Sequence, residues 1–444
     1  MPYWAEMDKL LACSERLSYL LSQGYHCADV AMLYPVEPVV AGNGRASVDC
    51  AFKLGEELYH QGIDFDFMDY ESLARAEIKG SELQVAGESF RVLIVPEMET
   101  MRSTSIEKAV AFQKAGGTVI WVNRLPNATE QGEADETMLR LVAEQIVTPA
   151  SLVLSEVNQA TKRDFAIVEG NIDEPNVMHR KVGHRDFYAV YHVDKGAKCY
   201  FKSLGGAELW NPWTGEVQPL SVCQTDEEGS YIRMPLEKIE MQLIVFDPNK
   251  PAKIEDVHPV VPTTTYPISG KWETELIPVG TTRKDGLTSF EVKGKAGKSP
   301  ALITMEVESS YPGGAVFPYP IQQHCGKGEI ELGDWSRLSG LNCYSGGMWY
   351  RKEIELTKEE CERALTLDLG DVVSTAELFV NGKSVGLRMA APWKFDLSGV
   401  LKPGKNLFEI RVYNTVATHY LSIPTMYRGE VTSGILGTPQ LLMK

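Results

Sequence analysis

Apolar and polar positions follow three successive rhythms along the chain. From residue 5 to 23, Leu10, Cys13, Leu17, Leu20 and Leu21 recur at helical spacing, and Gly24 supplies a stop. The pattern predicts an amphipathic helix without an apolar partner in its own segment, as the last helix of a preceding body would be. Between 28 and 146, short apolar runs alternate with helical ones. Ala28–Pro35, Phe65–Asp69, Arg91–Pro96 and Thr118–Val122 read as strands, and 46–61, 105–115 and 134–145 as helices. Leu83–Val85 and Glu88–Phe90 flank Ala86-Gly87 as a small hairpin. The continuous run Val92-Leu93-Ile94-Val95 is typical of a strand buried on both faces, so a parallel, flavodoxin-like sheet is expected.

After residue 150 the helical period disappears. Short alternating runs at 165–168, 187–191, 198–201 and 242–246 predict a small β-sandwich. A Pro/Val/Thr-rich stretch follows, and then a second, larger all-β region. There, apolar runs flank Asn381-Gly382, a strong hairpin signal because both residues tolerate positive φ. Another strand follows Pro403-Gly404, and 435–443 reads as a closing strand. The expected architecture is multidomain, α/β plus all-β. It comprises an N-terminal helix (1–25), an α/β domain (26–149), a β-sandwich (150–250), a linker (251–265) and a jelly-roll β-sandwich (266–444).

Composition narrows the function. The 444 residues carry a formal net charge of −16, which disfavours nucleic acid, whose phosphates need clustered Lys and Arg. Neutral sugars meet no such objection. The eight cysteines are scattered without a Cys-x-x-Cys pair, so reduced, mostly buried thiols are expected. No apolar run approaches the ~20 residues of a membrane span. The first residues lack a basic n-region and an apolar stretch, so as written the chain is expected in the cytoplasm, or in the periplasm or medium if an export signal has been lost.

Several stretches, taken in order, resemble the C-terminal half of glycoside hydrolase family 106, the α-L-rhamnosidases. They are Leu20–Gly24 before Val30–Pro35, Val177-Met178-His179-Arg180 with Asp186-Phe187-Tyr188, Glu208–Gly215, Asp334-Trp335, Tyr344–Arg351 and the Asn381-Gly382 hairpin. The last region also resembles the sugar-binding jelly roll of family 2. The resemblance implies a catalytic (β/α)8 barrel followed by an amidotransferase-like α/β domain and galactose-binding-like β-sandwiches. Such a barrel takes about 250 residues, and nothing in the pattern supplies it, so no catalytic residue carries over. The expected role is an accessory, carbohydrate-recognition part of a bacterial α-L-rhamnosidase-like hydrolase, serving rhamnose-containing or plant polysaccharide with a separate barrel chain. The alternatives are a stand-alone polysaccharide-binding module and a structural oligomerisation protein.

Candidate chemistry is sparse. An amidotransferase-type domain would need Cys on a strand-to-helix elbow. Here Val92–Pro96 leads into Glu97-Met98-Glu99, and Cys50 lies within a helix as a core residue. Gly42-Asn43-Gly44 lacks the rest of a phosphate-binding fingerprint and reads as a tight turn. Glu97 and Glu99 leave one loop together and cannot flank a sugar from two sides. Carbohydrate could stack on Trp335, Tyr344, Trp349, Trp393 or Tyr420, although in a sandwich each such ring more often fills the core. His179-Arg180 reads either as a loop reaching toward substrate or as the site of an Arg180–Asp186 ion pair. No metal spacing is evident and no cofactor is expected. A structural Ca2+ held by loop carbonyls would leave no sequence trace.

Overall fold

A computed structural model describes residues 2–133, 136–277, 327–338, 341–342, 344–420 and 431–444. The chain divides into two compact units: residues 12–259, and residues 1–11 together with 260–444. In both, β-sheets predominate and helices are few.

Within residues 12–259, a five-stranded parallel sheet runs Val147–Thr148, Thr118–Val122, Val92–Val95, Val30–Leu33, Phe65–Met68. From the Phe65 edge this is the 2-1-3-4-5 order of doubly wound flavodoxin-like sheets. Val30–Leu33 and Val92–Val95 are buried on both faces, which is why their runs are continuous rather than alternating. Helices Arg45–His60 and Val153–Ala160 cover one face through Ala51, Leu54, Leu58, Val153 and Val157. Helix Ser103–Lys114 covers the other through Ile106, Ala109, Val110 and Phe112. At Gly117 an added Cβ would run into the Phe112 ring, so the turn back into Thr118–Val122 demands glycine there.

The same unit holds a sandwich. One sheet runs Tyr25–His26, Asn176–Val182, Arg185–Tyr191, Gln242–Asp247, Gly206–Trp210, Val217–Leu220. The other runs Phe165–Glu169, Lys198–Phe201, Ser230–Arg233, Gln224–Thr225. Tyr188, Val190, Ile244 and Phe246 of the first pack on Phe165, Cys199, Phe201 and Ile232 of the second. The helix Met7–Ser22 has its partner here. Leu17, Leu20 and Leu21 lie on Phe187, Ala189, Leu243 and Val245, the outward side of the six-stranded sheet. That partner is far along the chain and therefore invisible to a local pattern.

The described residues of 260–444 form a second pair of sheets, antiparallel throughout. The larger runs Gly328–Ile330, Trp272–Ile277, Gly347–Leu356, Gly404–Tyr413, Thr375–Val380, Lys383–Arg388. The smaller runs Thr264–Pro267, Gln440–Met443, Ala364–Asp368, Lys394–Asp396. Their shared core includes Trp272, Trp335, Tyr350, Leu378, Phe395, Phe408 and Ile410. Asn381 and Gly382 adopt φ of 53° and 77°, the primed turn their identities predict. The expected closing strand is shorter than its apolar run. Gln440–Met443 forms the ladder, and Ile435 makes only an isolated bridge to Val372, because Gly437-Thr438-Pro439 interrupts the pairing.

Candidate functional site

A polar cleft of about 430 Å³ opens within residues 12–259. Its walls come from Tyr25–Asp29, from the antiparallel hairpin Glu82–Val85, Glu88–Phe90, and from the strand Asn176–Val182. Asp29 directly precedes the strand Val30–Leu33, so the cleft lies at the amino ends of the parallel strands. Doubly wound sheets commonly bind ligands at the opposite, carboxyl ends. In this chain the carboxyl-end acids are tied locally. Glu97 accepts from Asn123 Nδ2 at 2.9 Å, and Glu99 accepts from Asn43 Nδ2 at 3.2 Å and meets Arg124 at 3.5 Å.

Two histidines, each held between two carboxylates, organise the cleft. His26 Nδ1 lies 2.7 Å from Asp66 and its Nε2 2.6 Å from Asp64. His179 places Nδ1 and Nε2 each 3.1 Å from Asp164 and Asp186, and its ring stacks on buried Tyr188 at 4.0 Å. Burial alone would lower both imidazole pKa values. The hydrogen bonds and negative charges of the flanking aspartates outweigh it and raise His26 to about 10 and His179 to about 9. Both rings are therefore imidazolium at neutral pH, with both N–H groups donating.

The remaining groups are also engaged. Lys181 lies 3.4 Å from Asp186, and Lys202 3.3 Å from Asp29. Arg91 bridges Asp29 and Glu82 at 3.8 and 3.3 Å, and Ser89 Oγ donates to Glu82 at 2.7 Å. Burial, then the charges of Asp164 and Asp186, pushes the Cys27 thiol up to about 12. A protonated thiol and locked imidazoliums supply neither nucleophile nor base near neutrality. They do supply fixed donors and acceptors. Among the described residues, no group of three or more His, Cys, Asp or Glu side chains is placed to hold a metal ion.

Of the residues singled out by sequence, His179 and Asp186 line this cleft. His179 sits in a regular strand rather than a loop, and it takes the Asp186 contact expected for Arg180. Arg180 instead donates to the carbonyls of Gln23 and Gly24 at 2.8 and 3.2 Å, tying down the end of the first helix. The predicted sugar platforms largely disappear into the core. Trp335 is 0% exposed and stacks on Tyr350, and Trp393 is 6% exposed, so neither can offer a ring face to a ligand. Tyr344 is half-buried, its hydroxyl donating to the carbonyls of Ile277 and Gly347. Trp349 lies on the outward side of its sheet, but Arg351 and Arg411 stand 5.3 and 5.8 Å from its ring centre. The side chain of Tyr420 lies outside the described residues, as do Cys325 and Cys343.

The sequence did not flag His26, Asp64, Asp66, Asp164 or Lys202. One faint sign existed: Asp64 and Asp66 alternate along the chain and so share a side. The Glu208–Gly215 motif has a structural role. Asn211 Oδ1 accepts from the amides of Trp213 and Thr214, and Arg16 of the first helix donates to the carbonyls of Pro212 and Trp213.

Comparison with known proteins places this architecture. A family model described as alpha-L-rhamnosidase, glycoside hydrolase family 106, matches residues 2–224, half of the chain. Two proteins of Formosa agariphila, each named "Putative beta-glucuronidase", are 36% identical over 88 residues and 31% identical over 91 residues. Those segments are 19% and 20% of this chain and 8% and 9% of the relatives. The solved rhamnosidase from Novosphingobium sp. PP1Y superposes with a TM-score of 0.63 at 20% identity, covering 99% of this chain and 41% of that one. The chain thus spans less than half the length of that rhamnosidase and under a tenth of the curated relatives' length. With its matched residues contributing the first helix, the parallel sheet and most of the sandwich that carries the cleft, the chain belongs to the α-L-rhamnosidases of glycoside hydrolase family 106.

Proposed function

We propose that this chain is a carbohydrate-recognition and accessory part of an α-L-rhamnosidase-like glycoside hydrolase, and that cleavage of the glycosidic bond depends on a catalytic barrel outside these 444 residues. The cleft carries the proposal. A sugar is held by many short polar contacts and an aromatic edge. Lys181 and Lys202 offer donors, Asp29 and Glu82 acceptors, Ser89 and Gln84 neutral groups, and Tyr25 a ring. The volume falls at the small end of ordinary ligand pockets (roughly 300–1,000 Å³), in keeping with one or two sugar units.

The ionisable groups favour binding over bond cleavage. Glycoside hydrolysis needs two carboxyl groups on opposite sides of the scissile bond, one of them free to give a proton. Here Asp164 and Asp186 are committed to His179, and Asp29 and Glu82 to Lys202, Arg91 and Ser89. Rhamnose-containing polysaccharide is the ligand class that the family membership favours.

The test has two arms. Incubated with aryl α-L-rhamnosides, the purified chain is expected to give no turnover. Turnover abolished by a point change within the chain would overturn the accessory role. In calorimetric titration with rhamnose-containing oligosaccharides, binding is expected, and Lys202→Ala or Asp29→Asn should weaken it roughly tenfold, the loss of one charge-assisted hydrogen bond. Silence across the oligosaccharides would overturn the recognition role.

A further inference from the structure

We infer that the helix Arg45–His60, together with the adjoining edge of the parallel sheet, is a twofold interface for a second copy of this chain. The surface carries several exposed aromatic rings. Phe52 and Tyr59, seven residues apart on one helical stripe, are 54% and 52% exposed, and Phe67 on the edge strand Phe65–Met68 is 41% exposed. Phe67 touches Phe52 at 5.7 Å and Tyr34 at 5.6 Å between ring centres, so these three rings form one cluster, with Tyr59 further along the same helical stripe. Gly55 brings the helix close to the strand, since a Cβ there would sit 2.8 Å from the Phe65 ring. Among the described residues, the Phe65–Met68 strand is the last in its sheet and pairs on one side only. Contiguous apolar surface beside an open strand edge is what soluble proteins normally cover.

Charge selects the occupant. A second stripe, Asp49, Lys53, Glu56 and His60, lies immediately beside the aromatic one, at helical positions one and two turns apart. Among the described residues, Lys53 and Glu56 have no ion-pair partner. When two such helices pack antiparallel about a twofold axis between positions 54 and 55, Lys53 faces Glu56 of the second copy and Glu56 faces its Lys53. Asp49 then comes opposite His60, but Arg45 and Glu174 of the same copy already contact these two at 2.7 and 3.7 Å, so the Lys53–Glu56 pairs set the register. An axis lying in the interface plane keeps each aromatic stripe on the same side. The Phe52, Tyr59 and Phe67 rings of both copies therefore converge next to the charge ladder. An antiparallel crossing of about 20° keeps the whole stripe in contact. The rings supply the apolar burial and the charges fix the register.

Sedimentation equilibrium on the full chain, from low micromolar to several hundred micromolar, tests the inference. A concentration-dependent dimer is expected, and Phe52→Glu should turn it to monomer. Lys53→Glu sets like charges opposite each other and should weaken association roughly tenfold, whereas Lys53→Glu combined with Glu56→Lys reverses the ladder as a whole and should restore it. All three substitutions are at exposed positions, and circular dichroism confirms that each variant is folded. A monomeric native chain, a dimer indifferent to Phe52→Glu, or a double variant no tighter than the single would overturn the interface. A chain that remains monomeric but binds a barrel-bearing protein through this face would overturn it too. The sugar titration reads a separate surface, so failure of either proposal is distinguishable from failure of the other.

Discussion

His179 shows how a single residue can hold a structure while looking like catalytic machinery. Its ring lies between Asp164 and Asp186 and its pKa is raised to about 9, against ~6.5 for an unfolded histidine. A group whose folded pKa is raised contributes stability that is fully present below ~6.5 and is lost as pH climbs through 9. His26, raised to about 10, acts in the same direction over a slightly wider window. The melting temperature should therefore fall steadily from pH 6.5 to 10. His179→Gln should lower the unfolding free energy at neutral pH by roughly 2–3 kcal/mol in urea titration, and flatten that slope. An unchanged slope would show that the aspartates do not hold the proton. Trp335 makes the opposite point. It resembled a ligand platform in sequence, yet it is fully buried against Tyr350. Trp335→Ala should cost about 3–5 kcal/mol of stability through the cavity it leaves, measured as a shift in urea midpoint. A loss below ~1 kcal/mol would mean the ring is not core.

At the scale of elements, turn chemistry was legible and partner choice was not. Asn381-Gly382 announced its hairpin because only residues tolerant of positive φ close a primed turn, and the observed angles agree. Space around Gly382 is open, so Gly382→Ala meets backbone strain alone, about 1 kcal/mol. Gly24 also marked a stop, but its stronger constraint came from elsewhere. Its φ is +63°, and an added Cβ would collide with the Lys181 carbonyl of the sandwich. Gly24→Ala should exceed Gly382→Ala by ~2 kcal/mol or more in thermal or urea unfolding, and equal losses would place the constraint in the turn alone. The two-residue strand Tyr25–His26 had no distinct periodicity, because its pairing with Lys181 and Arg180, distant in sequence, rather than local propensity, defines it.

For the whole molecule, apolar periodicity along the chain already separated a parallel α/β segment from antiparallel all-β ones. Burial on both faces forces continuous apolar runs and burial on one face forces alternation, so that contrast is written residue by residue. Acidic composition likewise disfavoured nucleic acid without any coordinates. Tertiary structure alone decided which rings are core, which sheet receives Leu17, Leu20 and Leu21, and that Asp64, Asp66, Asp164 and Asp186 converge on two imidazoles. Those contacts reach across 40 residues from His26 to Asp66 and much further from Leu17 to the strand that carries Leu243 and Val245, and their energies come from local dielectric and geometry. A one-dimensional pattern records how often a residue meets the core, but not which distant residue it meets there.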